Sequence, residues 1–161
     1  MRLIAPLFLI IALILGGCDW AAQQDLKAGE SSAAMVKDYM GQPTTVWKEP
    51  DGTEIYEYAR GTAGLETFMV VIRDGKFQSM TNVLVPEQFA KIVKGTPKKT
   101  VRRLLGQPTD VETFKRQNNQ LVWTYIHHGK IDDKEFLHVY FDSAGNVSKT
   151  MIVGDANPGG N

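Results

Sequence analysis

A chain of 161 residues has room for one or two small domains, and its 18 lysines and arginines against 18 aspartates and glutamates leave no net charge to steer it. With an apolar share of 43% it reads as globular rather than disordered, and it has neither a basic block nor interleaved aromatic and basic residues, which sets a nucleic-acid role aside. A single cysteine rules out a disulfide framework within the chain.

That cysteine closes the first segment. Met1-Arg2 supplies a positive end, Leu3 to Leu15 is uncharged and apolar, and Gly16-Gly17-Cys18 ends the run with small residues. As a helix, the apolar run reaches about 20 Å, short of the roughly 30 Å of membrane hydrocarbon, so it reads as a signal peptide rather than a permanent span. Leu15-Gly16-Gly17-Cys18 resembles the motif cut by signal peptidase II, after which the cysteine thiol carries a diacylglycerol. Two or three acyl chains make attachment effectively permanent, so Cys18 is expected to be an anchor. Asp19 directly after it is a candidate sorting signal, which in enteric bacteria favours retention in the inner membrane. From Cys18 to Leu26 an extended chain spans about 27 Å at most, which holds the folded part near its membrane.

Beyond this linker, Leu26 to Tyr39 is predicted to be helical, with Ser31 or Ser32 as N-cap. Gly41 and Pro43 stop the helix: the glycine takes the left-handed conformation and the proline lacks the N–H to continue. Strands are expected over Thr44 to Lys48, Glu54 to Arg60, Glu66 to Arg73 and Lys76 to Leu84, the last two joined by Asp74-Gly75. The order then repeats. Glu87 to Val93 can form a short helix, and Thr96-Pro97 begins a second one over Lys98 to Leu105, stopped by Gly106 and Pro108. Strands follow over Val111 to Lys115, Leu121 to His127, Glu135 to Phe141 and Val147 to Val153.

Register points to two copies of one plan. Val36 and Gly41 match Val101 and Gly106; Tyr56 and Tyr58 match Trp123 and Tyr125; Gly75 and Phe77 match Gly145 and Val147. The expected organisation is a signal peptide over residues 1–17, a lipidated linker over 18–25, units over 26–85 and 86–153, and a loose tail over 154–161. Units of this size bury only about 60% of their unfolded surface, so a shared interface is expected.

Lys94-Gly95-Thr96-Pro97-Lys98-Lys99-Thr100-Val101, Leu104-Leu105-Gly106-Gln107-Pro108, Trp123-Thr124-Tyr125 and Leu137 to Gly145 together resemble the SmpA/OmlA (BamE-like) family of small outer-membrane lipoproteins. The resemblance is clear over Ile92 to Val147 and weaker over Leu26 to Val83. It implies an α+β fold, here as tandem helix-plus-antiparallel-sheet units with helices packed on one sheet face, an arrangement that also resembles the β-lactamase inhibitor protein. It further implies a lipid-anchored protein facing the periplasm from the outer membrane, or from the inner membrane if Asp19 is read, that acts as a scaffold in β-barrel protein assembly. The alternative is a lipoprotein that binds or inhibits another periplasmic protein through a concave sheet.

Catalytic chemistry is not indicated. The chain has no Gly-x-Ser-x-Gly elbow, phosphate-cradling glycine loop or paired metal-ligand motif, so no enzyme, small-molecule substrate or cofactor beyond the lipid on Cys18 is expected. His127, His128 and His138, with Asp132 and Asp133, are the nearest approach to a metal set, but neighbouring strand histidines point to opposite faces and no metal site is assigned. Trp47, Tyr58, Trp123 and Tyr125 are candidates for partner binding, against core packing as the plainer role. Lys98, Lys99, Arg102 and Arg103 form a basic helix that is a candidate to face anionic lipid.

Overall fold

The computed structural model describes residues 26–60, 65–114, 119–129 and 134–154. Leu15, Gly16, Gly17, Cys18 and Asp19, the linker, the 155–161 part of the tail, and Asp132 and Asp133 lie outside the described residues.

Helix α1 (Ala33–Met40) precedes strands β1 (Thr45–Lys48), β2 (Glu54–Arg60), β3 (Glu66–Arg73) and β4 (Lys76–Asn82), which pair as an antiparallel sheet in chain order. A short helix α2 (Pro86–Phe89) and helix α3 (Lys98–Leu105) precede a second sheet of the same design, made of β5 (Asp110–Phe114), β6 (Gln120–His128), β7 (Lys134–Phe141) and β8 (Val147–Gly154). The fold is α+β, with two four-stranded antiparallel sheets, each preceded by a helix.

Only the later part of the predicted first helix is helical. Gly29, at φ 76°, turns the chain across the edge of β4, where its N–H donates to Phe77 O (2.7 Å) and Phe77 N–H donates to Ser31 O (2.9 Å). The Lys27 to Ser31 backbone makes one closed turn, Ser31 N–H to Lys27 O, but the Ser31 carbonyl is given to β4, so the regular helix α1 starts only after Ser32, whose Oγ accepts from Met35 N–H. Val36 and Met40, four residues apart, bury against Tyr56, Tyr58, Val70, Ile72 and Phe77.

The second unit reproduces this wiring. Gly95 N–H donates to Val147 O (2.8 Å), Val147 N–H to Thr96 O (2.8 Å), and Lys98 N–H to Gly145 O (2.9 Å), the last matching Ala33 N–H to Gly75 O (2.9 Å). Thr44 N–H to Glu57 O and Thr109 N–H to Thr124 O close the two sheets alike. Each third hairpin also carries an irregularity, at Val71/Ile72 and at Tyr140/Phe141. Pro97, rather than Thr96, occupies the N-cap position of α3, because Thr96 Oγ1 instead accepts from Val93 N–H and closes the preceding turn. Val101 and Leu105 pack on Tyr125, Leu137, Val139, Phe141 and Val147, with Phe89 and Ile92 closing one side.

Gly41 and Gly106 end their helices in one conformation, φ 79° with ψ −167° and −161°. The predicted left-handed turn is therefore replaced by an extended backbone at positive φ, a region essentially restricted to glycine. In both cases the glycine N–H completes the last helical bond, to Lys37 O and to Arg102 O, and the chain leaves straight toward the sheet.

The inter-unit seam and the candidate docking face

Strand alternation gives each sheet a face packed on its helix and a helix-free face. In the first sheet the pairing register puts Tyr56, Tyr58 and Val70 on the helix side and Trp47, Glu57 and Met69 on the other. The second unit seats on that other face. Glu57, completely buried, is the one buried carboxylate among the described residues. Its Oε2 accepts from Arg102 NH1 at 2.6 Å and Trp47 Nε1 at 3.2 Å, and its Oε1 accepts from Gln107 N–H at 2.9 Å. Three donors, one of them cationic, offset the cost of taking the carboxylate out of water.

Arg102 also donates to Thr45 Oγ1 (3.3 Å), and its guanidinium lies 5.2 Å from the Trp47 ring centre. Arg103 pairs with Glu49 and stacks over the same ring at 4.5 Å. Gly106 is pressed so closely on the first sheet that a Cβ there would stand 2.7 Å from Thr67 Cγ2 and 3.1 Å from Glu57 Oε1. Behind it, Tyr125 OH donates to Gly106 O at 3.2 Å. Burial, with a smaller push from Glu57 and against the pull of Arg102, raises the Tyr125 phenol well above its ordinary value.

These contacts redraw the candidate site. Tyr58 and Tyr125, at 2% and 0% exposure, belong to the two cores and present no surface to a partner. Trp123 is partly buried, packed against the second core and edge-on to Phe141. Trp47 is taken up by the seam. Of the basic helix, Arg102 and Arg103 are turned onto Glu57, Glu49 and Trp47 rather than toward lipid, because the buried carboxylate demands a cation; Lys98 and Lys99 remain exposed.

A different, half-buried surface carries no helix among the described residues. On the helix-free face of the second sheet, Phe136, His138 and Tyr140 follow one another along β7. The Phe136 and His138 rings stack at 6.4 Å and 9°, and His138 meets Tyr140 at 6.4 Å and 61°. Thr124 Oγ1 lies 2.9 Å from His138 Nδ1, and Lys149 Nζ sits 4.2 Å over the Tyr140 ring. Met151, 42% exposed, and Phe114, 40% exposed, extend the same face. The signal was present in the sequence: Phe136 to Phe141 is apolar or aromatic at nearly every position, and a strand apolar on both sides needs something against each.

His127 lies on the opposite side from His138, buried against Phe89 with Nε2 3.7 Å from Glu135. The two histidines therefore do not converge. Among the described residues no group of three or more histidine, cysteine, aspartate or glutamate side chains is arranged to hold a metal, and no helix is long and apolar enough to cross a membrane.

Residues 81–151 match the family model for the outer membrane protein assembly factor BamE domain. That span runs from the end of β4 through α2, α3 and β5 to β7 into β8, and so contains Arg102, Gly106 and the open face. A 1.40 Å crystal structure of a Streptococcus mutans protein, described as a candidate β-lactamase inhibitor protein, superimposes with a TM-score of 0.34 at 11% identity, covering 83% of this chain and 93% of that one. No curated protein matches the chain.

Proposed function

We propose, from a second unit that belongs to the BamE domain family, that the protein is a lipid-anchored, periplasm-facing scaffold in outer-membrane β-barrel assembly. The family match over residues 81–151 is the observation that carries this reading, since the family is described as an outer membrane protein assembly factor. The geometry supports a binding role rather than chemistry. Glu57 is completely buried and its two oxygens accept from three donors inside the seam, while the aromatic face along Phe136, His138 and Tyr140 carries no helix among the described residues and offers half-buried rings to a protein surface. The first unit holds the back of α3 and so fixes the orientation of that face.

Attachment through Cys18, with Asp19 deciding the membrane, belongs to the same proposal. The test is affinity purification of the tagged full-length protein from detergent-solubilised membranes. Recovery of barrel-assembly subunits is the expected result. Recovery of one unrelated periplasmic protein in their place would contradict it and favour a binder or inhibitor of that protein.

A further inference from the structure

The edges of the two sheets are protected unequally. Thr45 and Trp47 tie β1 to the seam, β4 is lined by Lys76, Gln78, Ser79, Thr81 and Asn82, and β5 sets the charges of Asp110 and Glu112 beside its exposed Val111 and Phe114. Polar and charged residues of this kind discourage further strand pairing. The edge strand β8 carries them only in its first half, at Ser148, Lys149 and Thr150; Met151, Ile152 and Val153 follow, with Met151 and Ile152 at 42% and 48% exposure, and its one charge is drawn over the Tyr140 ring.

The chain begins a ladder on this edge and then leaves it. Gly95 and Thr96 pair antiparallel with Val147, through Gly95 N–H to Val147 O and Val147 N–H to Thr96 O, and Pro97 bridges Asn146. Past Val147 the edge runs on beside an apolar groove of about 450 Å³, lined by Pro86, Phe89, Ala90, Leu137, Thr150 and Ile152. A strand continuing the Gly95–Thr96 line would lie with one set of alternate side chains directed at that groove.

We propose that the free edge of β8 from Lys149 to Val153 receives an extended strand of a partner protein, with apolar residues at alternate positions, by strand addition. The partner's main chain supplies the ladder and its apolar side chains fill the groove beside α2. Amphipathic strands of this pattern are what a barrel protein offers before it closes, so the inference deepens the assembly reading and rests on it.

The test uses the mature lipoprotein in detergent micelles and a fluorescein-labelled nine-residue peptide of alternating valine and threonine. Fluorescence anisotropy should show binding. Methylating alternate peptide amides, which spares the side chains but removes ladder donors, should weaken it about tenfold or more, as should Ile152→Lys or Met151→Lys. Thr81→Lys, on the β4 edge, should leave it unchanged. No binding, equal binding of the methylated peptide, or a β8-dependent dimer seen by sedimentation in place of peptide capture would overturn the inference. If it fails while barrel-assembly subunits still co-purify, the assembly reading stands without it.

Discussion

Arg102 NH1 lies 2.6 Å from Glu57 Oε2, and this pair joins the helix of one unit to the sheet of the other. The carboxylate has no solvent exposure and the arginine side chain 21%, so the two groups are unequal: the arginine can find water, the glutamate cannot.

Removing the arginine should therefore cost more than neutralising the acid. Arg102→Ala leaves a buried carboxylate with two neutral donors and is expected to destabilise the protein by about 3 kcal/mol, at the low end for a broken buried pair. Glu57→Gln keeps an acceptor for Gln107 N–H and should cost about 1 to 2 kcal/mol. Urea unfolding measures both, and an Arg102→Ala change below about 0.5 kcal/mol would contradict a seam held by this pair.

Gly41 and Gly106 make a matched comparison. Both sit at φ 79°, yet a Cβ at position 41 meets nothing within 4 Å while one at 106 meets Thr67 and Glu57. Gly41→Ala should cost about 1 to 2 kcal/mol from backbone strain alone. Gly106→Ala should cost about 1 to 3 kcal/mol more by wedging the seam. Equal costs would mean that the units are not pressed together at Gly106.

Tyr125 should make stability sensitive to alkali. Its phenol is raised in the folded state, so the stabilisation is fully present below the unfolded value near pH 10 and is lost as pH climbs above it. The unfolding free energy should fall with a slope that Tyr125→Phe reduces by about 1.4 kcal/mol per pH unit, one proton's worth. An identical alkaline slope in the variant would show that Tyr125 ionises while the fold is intact.

Much of this was legible in the sequence, and the exceptions share a physical cause. The strands Glu54–Arg60 and Glu66–Arg73 and the helix Lys98–Leu105 follow from alternation, capping and the glycine stops, all local signals. The paired positions Tyr56 and Trp123, or Phe77 and Val147, occupy matching places in their sheets. What the local pattern could not convey was which charges meet across the chain. Glu57 looks like an ordinary outward strand residue, and Arg102 and Arg103 like a solvated helix face, until the second unit is laid on the first sheet. The aromatic candidates went the same way: alternation identifies a face, but whether that face is core or surface depends on where the helix packs. Thus Tyr58 and Tyr125 are interior, and Phe136, His138 and Tyr140 lie half-buried on the helix-free face.

Anchoring is tested in cells. Cys18→Ser should release the protein from membranes and abolish acyl labelling, and unchanged attachment would contradict lipidation at Cys18. Asp19→Ser should shift the protein between membranes on a density gradient if that residue is read as a retention signal; an unchanged distribution would show that it is not.

The assembly reading is tested most directly by photocrosslinking in living cells from a benzoylphenylalanine placed at Tyr140 on the open face, compared with one at Asp38 on the exposed side of α1. The predicted result is an adduct with a barrel-assembly subunit from position 140 and none from position 38. Adducts from position 38 alone, or none with an assembly subunit from either, would contradict it.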